Sequence, residues 1–339
     1  MPAASRTLFF LGATGYLGSQ FLTDVAKESL GFRIVALVRS PTEEARKWLA
    51  STYTDLEVVM GTLDDEALIT EHATKADVVI NAASSDQPGS IKAILAGLKK
   101  NSSANPGKPP LYTHVSGCGI VSDNCRGEHV DLSDLARHSD IGFDLGKCDP
   151  INTHLDCDKP IVEAGIRKEN PIRTIIVFPA AIYGVGDGMQ PVTAGLRVLM
   201  QLFTQFGRAG TWGKGLNRTS NIHVKDTSTA LLTVLKAALE GKAEEGAEGL
   251  LKSVALQCVN GAAASVLFGK GLLKEGGTKP LPDEVVAPFG HFGWSLFGGN
   301  WIVKPERLAK LGWEAAESSK VPFLESLPRE IEIELAKKK

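Results

Sequence analysis

Apolar residues along this chain gather in short runs separated by longer amphipathic stretches. The runs at 8–11, 34–38, 56–60, 77–82, 111–116 and 172–178 are rich in Val, Ile, Leu and Phe, and each reads as a buried strand. Between them, residues 64–73, 90–100 and 151–167 read as helices, and 101–110, dense in Ser, Asn, Pro and Gly, as a loop. Strands alternating with helices predict an α/β protein with a doubly wound parallel sheet. Ligands of such sheets lie beyond the carboxyl ends of the strands. That rule places residues 12–18, Arg39, 81–84 and 116–119 around one crevice.

Residues 119–150 are polar without a clear period, a length of loop that in a compact domain is functional or mobile. Past Pro179 the alternation breaks down. Residues 192–206 read as a helix, 207–217 as a glycine-rich link, 227–239 as a strongly apolar helix, 241–249 as a surface loop and 254–259 as a strand. From Gly261 onward short helices mix with glycine- and tryptophan-bearing loops, and no internal repeat is visible.

The first run leads into Gly12, Gly15 and Gly18, spaced G-x-x-G-x-x-G, followed by an amphipathic stretch carrying Phe21, Leu22 and Val25. Gly12 permits a tight turn, Gly15 lets backbone amides approach a pyrophosphate, and Gly18 lets the helix pack closely on the sheet. Phosphates would sit at the helix N-terminus, where unpaired N–H groups and the dipole favour negative charge. Glycine triplets alone are weak in a chain of 35 glycines, but here a strand precedes and a helix and second strand follow. The second strand ends in Arg39, 21 residues beyond Gly18, where a dinucleotide site for NAD carries an acid. An arginine there accommodates a 2′-phosphate, so the cofactor expected is NADP(H); the alternative is a solvated charge at a strand end.

A length of 339 residues leaves room for a nucleotide-binding domain and a smaller second lobe. The formal net charge of −2 gives no reason to expect nucleic acid or a membrane surface as partner. The five cysteines make no C-x-x-C pair, which suits a reduced compartment and no structural zinc. Arg6 and the apolar run after it imitate a signal peptide, but cleavage there would destroy the glycine motif, so a cytoplasmic protein is expected.

Read together, "GATGYLG" (12–18), "DVVINAAS" (77–84), "THVSGCG" (113–119), "PAAIYGVGDG" (179–188), "NIHVKD" (221–226) and "KPERLAKLGW" (304–313) resemble an extended short-chain dehydrogenase/reductase of the NAD(P)-dependent epimerase/dehydratase type. The resemblance implies a Rossmann domain over 1–180 and 221–260. It implies a smaller C-terminal substrate lobe over 181–220 and 261–339. It also implies a small-molecule substrate, with the oligomeric state, a homodimer included, left open. Cofactor contacts carried over in this way fall on Gly12, Thr14, Gly15, Tyr16, Leu17, Gly18, Arg39, Ala82, Ala83, Ser116, Lys159, Pro179 and Ile182.

The chemistry of that family rests on Ser/Thr, Tyr and Lys, the last two spaced Y-x-x-x-K so that both lie on one helix face. Lys159, followed by Glu163, matches the lysine, but the tyrosine position holds Leu155. Ser116 ends the fifth strand, while the usual hydroxyl position, one or two residues on, holds Gly117 and Cys118. Lys159 is then either a retained cofactor contact or an exposed partner of Glu163. Three side chains are candidates for the missing acid. His154, four residues before Asp158, would be a competent acid or base if held by that carboxylate, or else forms a structural pair with it. Tyr183 belongs to the loop expected near the nicotinamide, as donor or wall, and Ser116 is the third. His223 reads as an anchor between lobes. Cys148, His154, Cys157 and Asp158 fit no zinc spacing, so no metal is expected. The sequence thus points to an NADP(H)-dependent oxidoreductase acting on a carbonyl or alcohol. A non-catalytic redox sensor, or an isomerase or cyclase that keeps its cofactor, remains open.

Overall fold

A computed structural model describes residues 6–243, 246–249 and 253–337. The chain begins with β1 (Arg6–Leu11), α1 (Tyr16–Lys27), β2 (Phe32–Val38), α2 (Glu43–Thr52), β3 (Leu56–Met60), α3 (Glu66–Lys75), β4 (Val78–Asn81), α4 (Pro88–Ala104) and β5 (Leu111–Val115). It continues through β6 (Arg137–Ser139), α5 (Leu155–Ile166), β7 (Arg173–Phe178), β8 (Ala181–Tyr183), α6 (Ala194–Phe206), β9 (Ala209–Thr211), β10 (Arg218–His223) and α7 (Val224–Leu239). The remainder comprises β11 (Gly246–Gly249), β12 (Ser253–Ala255), α8 (Leu256–Gly269), β13 (Thr278–Pro280), α9 (Asp283–Val286), α10 (Gly290–Gly298), β14 (Ile302–Lys304), α11 (Glu306–Lys310), α12 (Ala316–Lys320) and α13 (Phe323–Ala336).

Seven strands form one sheet in the order β11-β7-β5-β4-β1-β2-β3, every neighbouring pair parallel. The strand order reverses between β1 and β4, so the loops after these two strands splay apart and open a crevice at their carboxyl ends. This is the doubly wound Rossmann-type α/β fold. Burial explains why these runs are strands: Leu8, Phe9, Phe10 and Leu11 of β1 are all within 1 % of complete burial, as a strand covered by helices on both faces must be.

The main core follows the sheet and takes in Trp301, Val303, Leu308 and Trp313 from the tail, so that segment packs with the sheet. A second core joins Leu196, Met200 and Phe203 of α6 to Ala263, Ala264 and Leu267 of α8 and Leu327 and Ile331 of α13. A third gathers Trp212, Leu281, Val285 and Val286.

The sequence pattern needs correction in several places. Residues 246–249, read as surface loop, form β11 at the edge of the sheet, Gly246 opposite Ile175 and Gly249 opposite Phe178; residues 244 and 245 of that stretch lie outside the described residues. The run 254–259 is strand only to Ala255, after which α8 begins. An apolar run of six residues does not by itself distinguish strand from helix. α4 continues to Ala104 through residues read as loop, because Asn101 turns inward and its amide donates to the carbonyls of Thr74 and Ala76. Within the polar stretch 119–150 a short strand, β6, pairs in parallel with β14 from the far end of the chain.

Candidate active site

The glycine turn between β1 and α1 forms one wall of the crevice. Gly12 has φ +97, and a Cβ there would meet the carbonyl of Ala82 at 2.6 Å. A Cβ on Gly18 would collide with the carbonyl of Gly12. The fold therefore dictates glycine at both positions. Gly15 is different: its φ is −78, and an added Cβ would meet only the Gly12 carbonyl oxygen, at 3.2 Å. Glycine at 15 keeps open space in the crevice that this residue lines together with Gly12 and Thr14. α1 also starts without a side-chain cap and without an acid in its first turn. By contrast α2 is capped by Thr42 and begins with Glu43 and Glu44. A helix start left uncapped beside a crevice suits a bound anion, so the residues present fit a dinucleotide pyrophosphate.

Arg39 is exposed on the same crevice and has no carboxylate partner among the described residues. Ala82 and Ala83 line it from the end of β4, where the Ala83 N–H donates to the Asn81 side chain at 3.0 Å. Gly61, Thr62, Leu63 and Asp64 complete its rim, with Gln87 bridging to Asp64. Those residues were legible in principle, because the loop after β3 leaves the sheet beside Arg39.

The loop after β8 closes over the start of α1. The Tyr16 hydroxyl donates to the Gly184 carbonyl, the Asp187 N–H to Gln20 Oε1 at 2.7 Å, and the Gln190 N–H to Ser19 Oγ at 3.4 Å. Leu17 is buried, Pro179 is buried with its carbonyl accepting from the Cys118 N–H, and Ile182 is half-buried on β8. Tyr183 is committed elsewhere: its hydroxyl donates to the Val321 carbonyl at 2.8 Å, and its ring stacks on Phe323. His223 caps α7 through Nδ1, which accepts from the Lys225 N–H, and its own N–H donates to Ser318 Oγ.

At the end of β5 a buried group of polar side chains meets the first turn of α5. Ser116 Oγ donates to Asp158 Oδ2 at 2.6 Å. The other oxygen of Asp158 faces His114 Nε2 at 3.6 Å, and both side chains are fully buried. His154 lies over the adjoining Gly117: a Cβ on that glycine would meet His154 Nε2 at 2.9 Å. Its Nδ1 is 2.8 Å from Asp86 Oδ1, so the carboxylate that holds this histidine is Asp86, in the loop after β4, and not Asp158. Burial pushes the Asp86 carboxyl up, but the hydrogen bond and charge of His154 outweigh it and leave the group below its ordinary value. His154 adopts the left-handed conformation at φ 75, sparsely populated by residues with a side chain, and contacts of this kind hold it there.

α5 thus turns a different pair toward Ser116 from the one that motif spacing suggests. Residues 155 and 159 are four apart, and so are 154 and 158. The helix starts after His154, and this phase presents His154 and Asp158 to the end of β5. Leu155 is 4 % exposed and belongs to the main core. Lys159 is exposed, as is Glu163, and its charge acts on the Cys148 thiol against the upward push of burial and Asp144. Leu155→Ala is expected to destabilise the protein by about 2–5 kcal/mol, the cost of emptying a buried leucine site. Urea unfolding would measure it, and a loss below about 1 kcal/mol would contradict the burial argument. Among the described residues no group of three or more His, Cys, Asp or Glu side chains is placed to hold a metal ion, and no helix is long and apolar enough to cross a membrane.

Comparison with known proteins agrees with this architecture. The model of the NmrA-like family matches residues 4–99. The chain is 27 % identical over 241 residues to the oxidase ucsJ of Acremonium sp, covering 69 % of this chain and 67 % of that protein. It is 25 % identical over 252 residues to dTDP-4-dehydro-6-deoxy-D-allose reductase of Streptomyces bikiniensis, covering 69 % and 73 %. Among solved structures, UDP-glucose 4-epimerase of Thermotoga maritima superposes with a TM-score of 0.66 at 14 % identity, over 98 % of this chain and 100 % of that one. The dTDP-glucose 4,6-dehydratase of Bacillus anthracis in complex with NAD gives 0.66 at 14 %, over 97 % of each. The chain thus shares the Rossmann-type fold of these epimerase and dehydratase structures, and its first part matches the NmrA-like family.

Proposed function

We propose that the protein is an NADP(H)-dependent oxidoreductase acting on the carbonyl or alcohol group of a small or mid-sized organic molecule. The observation that carries this reading is the His154–Asp86 pair over Gly117, an acid–base couple beside the end of β5 and next to the helix position, Leu155, where the resemblance expects a tyrosine. Relatives named as an oxidase and a reductase support the oxidoreductase class.

The glycine turn and the first turn of α1 would hold the pyrophosphate, and Arg39 the 2′-phosphate. The dinucleotide, when bound, supplies or accepts the hydride. The chain's own residues handle the proton. With Nδ1–H held by the Asp86 carboxylate, His154 Nε2 gives a proton to a substrate oxygen in the reducing direction and takes one from an alcohol in the oxidising direction. Water is kept from the far side by the loop that Tyr16, Gln20 and Ser19 fasten over α1.

A panel of aldehydes, ketones, enones and sugar nucleotides, with NADPH consumption followed by absorbance, tests the activity. Tight NADP(H) binding with no turnover on any member would replace this reading with that of a dinucleotide-binding sensor. Cofactor preference has its own test. NADPH is expected to bind at least about tenfold more tightly than NADH, worth about 1.4 kcal/mol, because Arg39 on the crevice can pair with the 2′-phosphate. The margin should shrink as salt rises, since the pair is exposed. Fluorescence titration of both cofactors against the native protein and Arg39→Asp decides the point; equal affinities in the native protein reject it.

A further inference from the structure

The buried carboxyl of Asp158 has no part in the proton transfer assigned to His154, yet it holds Ser116 Oγ at 2.6 Å. A serine hydroxyl has one hydrogen and can direct it only one way at a time. An ionised carboxylate accepts and never donates, so while Asp158 is charged the Ser116 hydrogen must point inward to Oδ2. A protonated Asp158 reverses the bond. Its proton finds a partner at 2.6 Å on the Oδ2 side, whereas on the Oδ1 side only His114 Nε2 is near, at 3.6 Å, beyond hydrogen-bonding length. Oδ2–H then donates to Ser116, and the serine hydrogen is freed to point away from Asp158.

We propose that Asp158 is a positioning residue that switches Ser116 between hydrogen-bond donor and acceptor, so that a carbonyl substrate gains the Ser116 hydrogen bond only while Asp158 is protonated. A carbonyl oxygen can only accept and is held when Ser116 donates outward. The inference rests on the oxidoreductase reading for its substrates, but the switch itself is a property of the unliganded protein.

The surroundings put the switch in the neutral range. Burial pushes Asp158 up to about 7, against the Ser116 hydrogen bond and the charge of His154, with Asp86 adding to the rise. From β5, His114 faces it as a neutral ring, driven down to about 3 by burial and by His154, and hydrogen-bonded through Nδ1 to the Tyr112 hydroxyl. Burial raises the Tyr112 hydroxyl and the neighbouring Cys157 thiol as well, and Asp158 adds to both, so neither contributes charge at neutral pH. Cys148, also raised by burial, is the remaining titratable group that feels Asp158. The sign of the linkage follows. The folded protein holds this proton more tightly than the unfolded chain, so stability falls as pH rises from the ordinary carboxylate value of 3.8 to about 7, and is level above.

Infrared difference spectra of the full chain between about pH 5 and about pH 9 test the switch without substrate. The native protein is expected to lose one buried neutral-carboxyl band with a midpoint near neutrality. That band should be missing in Asp158→Asn. In Ser116→Ala it should shift in frequency and titrate at higher pH, because a hydrogen bond favouring the charged form is gone. Thermal stability of Asp158→Asn should lose the decline with pH. With a carbonyl substrate from the panel, KM is expected to rise about tenfold as pH increases across the same midpoint, the size of one hydrogen bond lost. Asp158→Asn should make this profile flat, with kcat moving less than KM. An absent band, a band unmoved by Ser116→Ala, or a flat KM profile in the native enzyme overturns the proposal. Failure of every panel substrate would count against the oxidoreductase reading alone, since the infrared result stands without turnover.

Discussion

His154→Ala is expected to lower turnover by about 10²–10⁴-fold, the usual loss when a positioned acid–base group is removed, while NADPH still binds. The imidazole is 7 % exposed, its Nδ1 is fixed by Asp86 at 2.8 Å, and its free nitrogen projects over the backbone that follows Ser116. No comparable proton carrier replaces it: the Tyr183 hydroxyl is spent on the Val321 carbonyl, and Lys159 is exposed on α5. Asp86→Asn should fall between the native enzyme and His154→Ala, because an amide can still orient the ring but cannot stabilise its charged form. Tyr183→Phe should leave turnover intact and lower stability instead. The measurement is kcat under saturating NADPH, beside a calorimetric titration of cofactor. Full activity in His154→Ala would mean that the proton reaches the substrate from Ser116 or from water.

A comparable loss, this time of binding, is expected from Gly15→Val. At Gly12 and Gly18 a side chain would strike backbone within the protein itself, so substitutions there test folding as much as ligand binding. At Gly15 an added Cβ meets a single carbonyl oxygen at 3.2 Å, which a slight shift relieves. Valine at that position therefore leaves the melting temperature close to native but fills the space a pyrophosphate would occupy beside the first turn of α1. Calorimetry should register no NADP(H) binding. Binding that persists would move the phosphate site away from this turn.

The sheet could be read from the sequence because its strands are buried on both faces and so appear as unbroken apolar runs. β11 could not. Its sequence, Gly-Ala-Glu-Gly, carries no β-branched or aromatic residue, and it is a strand because β7 offers it an open edge. α2 was equally quiet, with only Ala45 and Leu49 turned inward, too few for a helical period to stand out. In the site, spacing identified two residues four apart at the start of α5 but not the phase of the helix. Leu155 and Lys159 satisfy that spacing as well as His154 and Asp158 do; the left-handed turn at His154 decides between them. Asp86 escaped notice because it lies 68 residues before its histidine, a distance closed only by the fold.

The way α7 is completed bears on how the protein is made. α7 lies along α1, and Ser228 Oγ donates to Asp24 at 2.7 Å across that contact. Yet the buried carboxylate of Asp226, near its start, takes its donors from the Glu317 and Ser318 backbone and the Ser318 hydroxyl, at 3.0, 2.5 and 2.6 Å. Trp313 Nε1 adds a bond to Thr229 Oγ1, and Tyr183 reaches Val321. A ribosome that has released the glycine turn and all of the sheet has therefore not yet supplied the groups that hydrogen-bond Asp226. The part of the chain that builds the sheet waits, without those donors for Asp226, for a stretch near residue 318 that lies 92 positions later. Synthesis and folding are out of step at this helix.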